Sequence, residues 1–129
     1  MEFPDELRYT ESHEWARLSG NKAVCGITDY AQHELSDVVY VELPDIGTEV
    51  TADEQCAVVE SVKIAADIYA PLSGKVTRIN AELDGAPEMV NATPYGAGWF
   101  FEVEMSNPAE ADALMSADEY KAHTEVEKH

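Results

Sequence analysis

Basic residues are scarce in this chain of 129 residues, in which 8 lysines and arginines stand against 26 aspartates and glutamates. The resulting formal charge of −18 repels phosphate backbones and anionic lipid surfaces, so we expect neither nucleic acid nor a membrane among its partners. The acidic residues are spread along the whole sequence. This distribution favours a solubilising surface over steering towards basic partner surfaces or adaptation to high salt.

Long hydrophobic runs and targeting segments are also missing. There is no apolar stretch of about 18 residues, and residues 1–6 are acidic, unlike a signal or transit peptide. We therefore expect a cytoplasmic protein, or a mitochondrial matrix protein if the chain is the mature form of an organellar precursor. The length predicts one domain over residues 1–129. The polar tail at 123–129 is expected to fray, and we expect a monomer.

Cysteine and histidine are few, which limits redox and metal chemistry. Cys25 and Cys56 each lie in an apolar strand-like run, typical of buried thiols rather than of a disulfide. The four histidines show no His-x-x-x-His spacing and there is no Cys-x-x-Cys, so the sequence predicts no metal site. A Gly-x-Ser-x-Gly elbow and a nucleotide-binding glycine pattern are absent too. We assign no catalytic residue and expect a protein that is not an enzyme.

Apolar patterning predicts a mainly β protein with short helices, in which two sheets pack together and helices close one end. Thr28 is placed to cap a helix that ends near residue 35. Asn107 and Pro108 are placed to start a helix to about residue 115, and Ser116 to cap another. Strands are predicted at 15–18, 23–27, 38–43, 55–60, 66–70, 74–79 and 99–105.

Lys63 lies between two short β-like runs, which predicts a hairpin with this lysine at its tip, although no Asn-Gly signal marks the turn. Gly47 lies sixteen residues before Lys63, Glu60 three before, and Gly74 eleven after. Each of the two glycines closes a Pro-x-x-Gly segment, and a turn with positive φ at Gly74 would require glycine. This frame suggests two similar β-units folded about a central hairpin. Taken without the frame, Lys63 is an ordinary solvated lysine.

Several short motifs occur in one order along nearly the whole chain, and together they resemble the glycine cleavage H-protein family of lipoyl carriers. The resemblance implies the family's fold, a barrel-sandwich hybrid of the lipoyl and biotinyl hammerhead type. The motifs are Tyr-Thr at 9–10, Ser-His-Glu-Trp at 12–15, the segments 24–32, 38–44 and 58–63, Val-Asn at 90–91, Pro-Tyr-Gly at 94–96 and Gly-Trp at 98–99, before an acidic end.

The same resemblance implies that Lys63 carries lipoate through an amide bond. It also implies that Glu60, Gly47 and Gly74 match positions that a lipoate ligase or lipoyl transferase recognises. Ile64 follows the lysine where the family has a small residue such as alanine or threonine. A bulky β-branched side chain there would stiffen the tip or shield the root of the arm, and it leaves the lysine itself in place.

By resemblance, Ser12, Glu14 and Asp67 line a cleft that receives the loaded arm. A carboxylate in this cleft could pair with the cationic amine of an aminomethyl group by charge-assisted hydrogen bonding. The other reading is that both acids are solvated members of a crowded acidic surface.

The family's role is a swinging-arm shuttle in glycine decarboxylation. A pyridoxal-phosphate glycine decarboxylase loads the arm with aminomethyl, a tetrahydrofolate-dependent aminomethyltransferase unloads it, and a dihydrolipoamide dehydrogenase reoxidises it. A biotin carrier, another lipoyl carrier and a relay of lipoate to other proteins stay open as alternatives. Against biotin, Val62 and Ile64 stand where the biotinyl family has methionines.

Overall fold

The computed structural model describes residues 1–127, and within them the chain is mainly β with short helices, as predicted. Alternation at period two explains the strands, for example in Phe101–Met105, where buried residues alternate with less buried ones. The strands are β1 Arg8–Tyr9, β2 Glu14–Ser19, β3 Lys22–Ile27, β4 Val38–Glu42, β5 Glu49–Val50, β6 Gln55–Ser61, β7 Ala65–Tyr69, β8 Gly74–Ile79 and β9 Phe101–Met105. The α-helices are α1 Asp29–Leu35, α2 Met89–Ala92 and α3 Ala117–Glu127, and 3-10 helices cover Ala81–Asp84 and Pro108–Ala113.

Two antiparallel sheets build the fold. One has six strands in the order β1-β2-β3-β9-β8-β5, and the other has three in the order β4-β6-β7. Buried apolar side chains from both sheets form one cluster, so the main core joins the two sheets rather than serving either alone. Its members include Ala16, Cys25, Ile27, Val41, Val59, Ile68, Leu72, Val76, Phe100, Phe101 and Val103.

Six of the seven predicted strands agree with the structure to within one residue at each end. The predicted strand at 99–105 begins instead at Phe101, because the Trp99 amide is used in a turn, donating to the Gly96 carbonyl at 3.1 Å. The predicted helix after Asn107 is a 3-10 helix over Pro108–Ala113, and the Asn107 side chain makes no cap hydrogen bond. The two-residue strands β1 and β5 were not predicted, since they are too short to show a period.

Both other predicted helix caps are present. The Thr28 hydroxyl accepts from the Ala31 amide at 3.1 Å. Ser116 and Glu119 form a reciprocal capping box, with the Glu119 amide donating to the Ser116 hydroxyl at 3.2 Å and the Ser116 amide to the Glu119 carboxylate at 2.9 Å. Residues 123–127, which we expected to fray, continue α3 instead, with Thr124 buried. Residues 128–129 lie outside the described part of the chain.

A second apolar cluster attaches α3 to the six-stranded sheet. The Tyr9 and Tyr120 rings stack with centroids 4.7 Å apart and planes within 4°. Trp15 belongs to the same cluster and is fully buried. Burial of these large aromatic faces explains why α3 stays packed despite its charged composition. The helix thereby lies against the loop that leads into β2.

Candidate functional site

Lys63 lies at the tip of the β6–β7 hairpin, as the sequence predicted. The Ser61 hydroxyl accepts from the amides of Lys63 and Ile64, at 3.1 Å each, and the Ser61 amide donates to the Ile64 carbonyl at 2.8 Å. The Val62 amide donates to the Asp37 carbonyl at 3.0 Å, which ties the tip to the segment before β4. A serine side chain therefore satisfies the turn that lacks an Asn-Gly signal. The lysine side chain itself is exposed.

The other residues of the predicted frame divide between the two sheets. Glu60 lies on β6, three residues before the lysine, and is exposed. Gly47 has a φ of +93°, which favours glycine, and its amide donates to the carbonyl of Val76 in β8, at 2.8 Å. Gly74 is the first residue of β8. Both glycines thus adjoin the six-stranded sheet, whereas Lys63 belongs to the three-stranded one.

The suggestion that Gly74 needs a positive φ is wrong. Its backbone is not in the left-handed region, and it lies in a strand, paired with Val50 and Met105. Glycine is required for a different reason: a Cβ atom there would collide with the carbonyl oxygen of Glu104 on β9. The close approach of two strands, rather than a turn, restricts this position.

A groove of about 270 Å³ lies beside β7, and Ser12 and Asp67 both line it. We call it the Ser12–Asp67 groove. Its apolar lining comes from β3, α1 and β7 and includes Ile27, Tyr30, Leu35 and Ile68. Asp67 is exposed, and it follows Lys63 by four residues on β7. Two of the three predicted cleft residues therefore come together in one apolar groove near the hairpin.

Glu14 occupies a different position from the other two. Its side chain is only 1% exposed and does not line the Ser12–Asp67 groove. One carboxylate oxygen accepts from the hydroxyls of Thr10 at 2.5 Å and Ser12 at 2.6 Å, and the other accepts from the Tyr69 amide at 3.3 Å. The carboxylate thus links the start of β2 to β7 of the other sheet and positions Ser12.

Burial dominates the electrostatics of Glu14. It raises the pKa of the carboxyl above its usual value, and the hydrogen bonds from Ser12, Thr10 and Tyr69 oppose that shift. The reading of Glu14 as a solvated surface acid is therefore wrong, whereas Asp67 is exposed to solvent. Of the two carboxylates, Asp67 is the one that a molecule in the groove can reach.

Sequence reasoning missed the residues that support the site, namely Ser61, Thr10 and Tyr69. Ser61 had a local signal, because a serine just before a turn commonly hydrogen-bonds to the backbone two or three residues on. Thr10 lies four residues before Glu14 and Tyr69 lies 55 residues after it. Only the fold brings the Tyr69 amide to the carboxylate, so no local pattern could have shown it.

Both cysteines are free, Cys25 buried and Cys56 partly buried. Burial raises the pKa of the Cys56 thiol to about 12, and that of Cys25 still further, so neither is a ready thiolate nucleophile. None of the helices in the described part of the chain has the length and apolar composition needed to span a membrane.

Comparisons with known proteins agree over most of the chain. A family model described as "Glycine cleavage H-protein" matches residues 7–127. A "Glycine cleavage system H protein" of Brevibacillus brevis is 54% identical over 122 residues, which cover 95% of this chain and 97% of the relative. One from Xanthobacter autotrophicus is 56% identical over 115 residues, covering 89% and 92%. A crystal structure of a glycine cleavage system H protein from Mycobacterium marinum superposes with a TM-score of 0.85 at 33% identity, covering 94% of this chain and 98% of that one.

Proposed function

The chain belongs to the glycine cleavage H-protein family, and from this premise we propose that it is a carrier whose lipoyl group is attached to the amine of Lys63. The observation that carries the proposal is the placement of an exposed lysine at the tip of a hairpin whose backbone is held by Ser61. An arm gains reach when its root projects from rigid scaffold, and this turn supplies such a root.

The residues present fit a lipoyl group. The Lys63 amine is accessible to an acylating enzyme, and a lipoyl-lysine side chain extends on the order of 14 Å from the backbone at full stretch. When bound, the group supplies a disulfide that is opened as the carrier takes up the aminomethyl unit and is reoxidised afterwards. The chain itself supplies no nucleophile to this chemistry in our proposal, because both thiols have raised pKa values.

We assign the Ser12–Asp67 groove as the place where the arm docks between enzymes. Its apolar lining can cover a hydrocarbon chain and exclude water. The exposed carboxylate of Asp67 can pair with a cationic amine in the groove. Glu14 acts behind this surface, by holding the Ser12 hydroxyl and the Tyr69 amide in place.

Recognition by the enzyme that attaches lipoate follows from the same geometry. Glu60 presents an exposed carboxylate on the strand that leads to Lys63, where a ligase or transferase that binds the lysine can contact it. Gly47 and Gly74 adjoin β8, so their contribution is to the shape of the sheet rather than to a contact at the tip. Glu60 is therefore the recognition residue that we favour.

The partners in this proposal are the pyridoxal-phosphate glycine decarboxylase, the tetrahydrofolate-dependent aminomethyltransferase and the dihydrolipoamide dehydrogenase. We further propose that the chain acts as a monomer and a single domain in the cytoplasm. A monomer suits a carrier because each of the three enzymes must reach the same arm in turn.

The direct test is the intact mass of the protein isolated from its own cells, followed by peptide mapping. We expect one lipoyl amide on the peptide that contains Lys63. A biotinyl amide on that peptide, or a lipoyl group on another of the five lysines, would contradict the proposal. A mixture of modified and bare chains gives the fraction of the protein that is lipoylated.

A further inference from the structure

Two histidines and a glutamate meet where α3 ends against the loop before β2. The Nε2 atom of His13 lies 2.7 Å from one carboxylate oxygen of Glu127, and Nε2 of His123 lies 3.2 Å from the other. His123 Nε2 also donates to the carbonyl oxygen of Glu11 at 3.1 Å, and a metal ion bound to this nitrogen would replace its proton and that hydrogen bond. One ligand atom from each of His13, His123 and Glu127 can be chosen so that all three lie within 4.8 Å of one another. In tetrahedral zinc sites, with bonds of about 2.0–2.1 Å, ligand atoms lie roughly 3.3 Å apart.

The position and ring orientation of His13 are fixed by its backbone conformation and by a hydrogen bond outside the Ser12–Asp67 groove. Its φ is +75°, a conformation that residues other than glycine rarely adopt. Its Nδ1 atom is 2.8 Å from the Tyr120 hydroxyl, which in turn is 2.7 Å from the Thr28 hydroxyl. A metal-binding histidine characteristically uses its second ring nitrogen in such a hydrogen bond, which fixes the ring and the tautomer. With Nδ1 engaged, Nε2 is the nitrogen that faces Glu127.

We propose that His13, His123 and Glu127 form a binding site for a divalent transition-metal ion of the zinc type. Two imidazole nitrogens and one carboxylate suit zinc and cobalt, whereas magnesium and calcium prefer oxygen ligands alone. Three protein ligands leave one coordination position for water. The sequence predicted no metal site because it held no His-x-x-x-His. The structure instead pairs a His-x-x-x-Glu spacing on one helix face with a histidine 110 residues earlier.

The position of this site gives it a consequence for the carrier. His13 and Glu127 also line the Ser12–Asp67 groove, so an ion bound to them lies at the wall of that groove. It would fix the last turn of α3 to the loop before β2, and so fix one side of the groove. The inference does not depend on lipoyl attachment at Lys63, because none of its three ligands lies on the hairpin.

The test uses tag-free protein made without lipoate, so that no dithiol competes for the metal. Zinc affinity is measured by competition with a chromophoric chelator at physiological salt, with magnesium in excess. We expect one zinc per chain. Affinity should fall at least about tenfold in His123→Ala and in Glu127→Gln. His33→Ala, which removes an exposed histidine outside the cluster, is the matched control and should bind zinc as the wild type does.

A second readout follows the geometry of the ion rather than its affinity. Cobalt bound to the wild type should give the intense visible absorption of a four-coordinate site, and His123→Ala should lose it while His33→Ala keeps it. Equal zinc affinity in the two histidine variants would overturn the proposal. So would weak binding of several ions that magnesium displaces, because it would assign the metal to the acidic surface and leave the cluster as a hydrogen-bonded contact only.

Discussion

The hairpin tip and the buried carboxylate behind the Ser12–Asp67 groove are built in opposite ways. At the tip, Val62 and Ile64 are 64% and 54% exposed, and the turn is held mainly by bonds within residues 61–64. Behind the groove, Glu14 is 1% exposed and accepts from donors two, four and 55 residues away. The tip that carries Lys63 is therefore a local structure on the surface, and the support of the Ser12–Asp67 groove is a long-range structure in the interior. Each can be changed without the other.

The largest effect is expected at the tip. Lys63→Arg should abolish carrier activity and leave the free energy of unfolding within about 0.5 kcal/mol of the wild type, because the side chain is exposed and its removal leaves no cavity. The measurements are glycine–bicarbonate exchange with the partner enzymes and thermal melting. Lys75→Arg, another exposed lysine, should keep full exchange. Exchange that persists in Lys63→Arg would place the arm on another residue.

The second-largest effect is expected on stability, in the six-stranded sheet, which contains neither Lys63 nor Asp67. Gly74→Ala should destabilise the protein by about 1–3 kcal/mol or more, because its Cβ would collide with the Glu104 backbone and the strands must move apart. Chemical denaturation measures the change. Gly85→Ala is the control, since nothing lies within 4 Å of the Cβ position there and its φ is −98°. Equal denaturation midpoints for the two variants would show that β8 and β9 can move apart without loss of stability.

Glu14→Gln probes the support of the groove, and the expected effect depends on pH. In the wild type, burial raises the pKa of Glu14 in the folded state above the usual 4.5, so the folded state binds the proton more tightly than the unfolded state does. The stability from this group is present below pH 4.5 and is lost as pH rises through the raised value. The free energy of unfolding of the wild type should therefore fall relative to that of Glu14→Gln as pH increases from 4 to 7.

The comparison that tests this trend is Glu82→Gln, which changes an exposed glutamate in the 3-10 helix Ala81–Asp84. It controls for the removal of one surface charge, and its difference from the wild type is subtracted at each pH. A corrected difference for Glu14→Gln that does not change with pH, or that runs in the opposite direction, would mean that hydrogen bonding to the charged carboxylate outweighs its burial.

The smallest effect is expected for Ser61→Ala. The two amides that lose their acceptor at the tip are exposed, so water replaces the hydroxyl and stability should fall by only about 0.5–1 kcal/mol. The rate of lipoylation should fall too, because the root of the arm is less fixed. Ser19→Ala, at the exposed end of the β2–β3 hairpin, is the control for both measurements. An unchanged rate in Ser61→Ala would show that the ligase shapes the tip itself.

The same contrast explains what the sequence could predict. The strands β2, β3, β4, β6, β7 and β8, and the Thr28 and Ser116 caps, follow from alternation and short-range hydrogen bonding, and the structure has them. The position of Lys63 at a hairpin tip was predicted because the apolar runs on either side of it are contiguous in the sequence. The burial of Glu14, the steric role of Gly74 and the meeting of His13 with α3 depend on residues far apart in the chain. No local pattern contains that information.

The bond between the Val62 amide and the Asp37 carbonyl also has a mechanical meaning. In the proposed carrier, a partner enzyme that draws a lipoyl arm into its active site would pull on Lys63, and the pull would be shared between the paired strands β6 and β7 and the segment before β4. Asn91 anchors that segment, because its side chain accepts from the Val38 amide at 2.9 Å and donates to the Ser36 carbonyl at 2.8 Å. A force on the tip would therefore be transmitted to α2 as well as to β6 and β7. The tip is supported from two directions rather than by its own two strands alone.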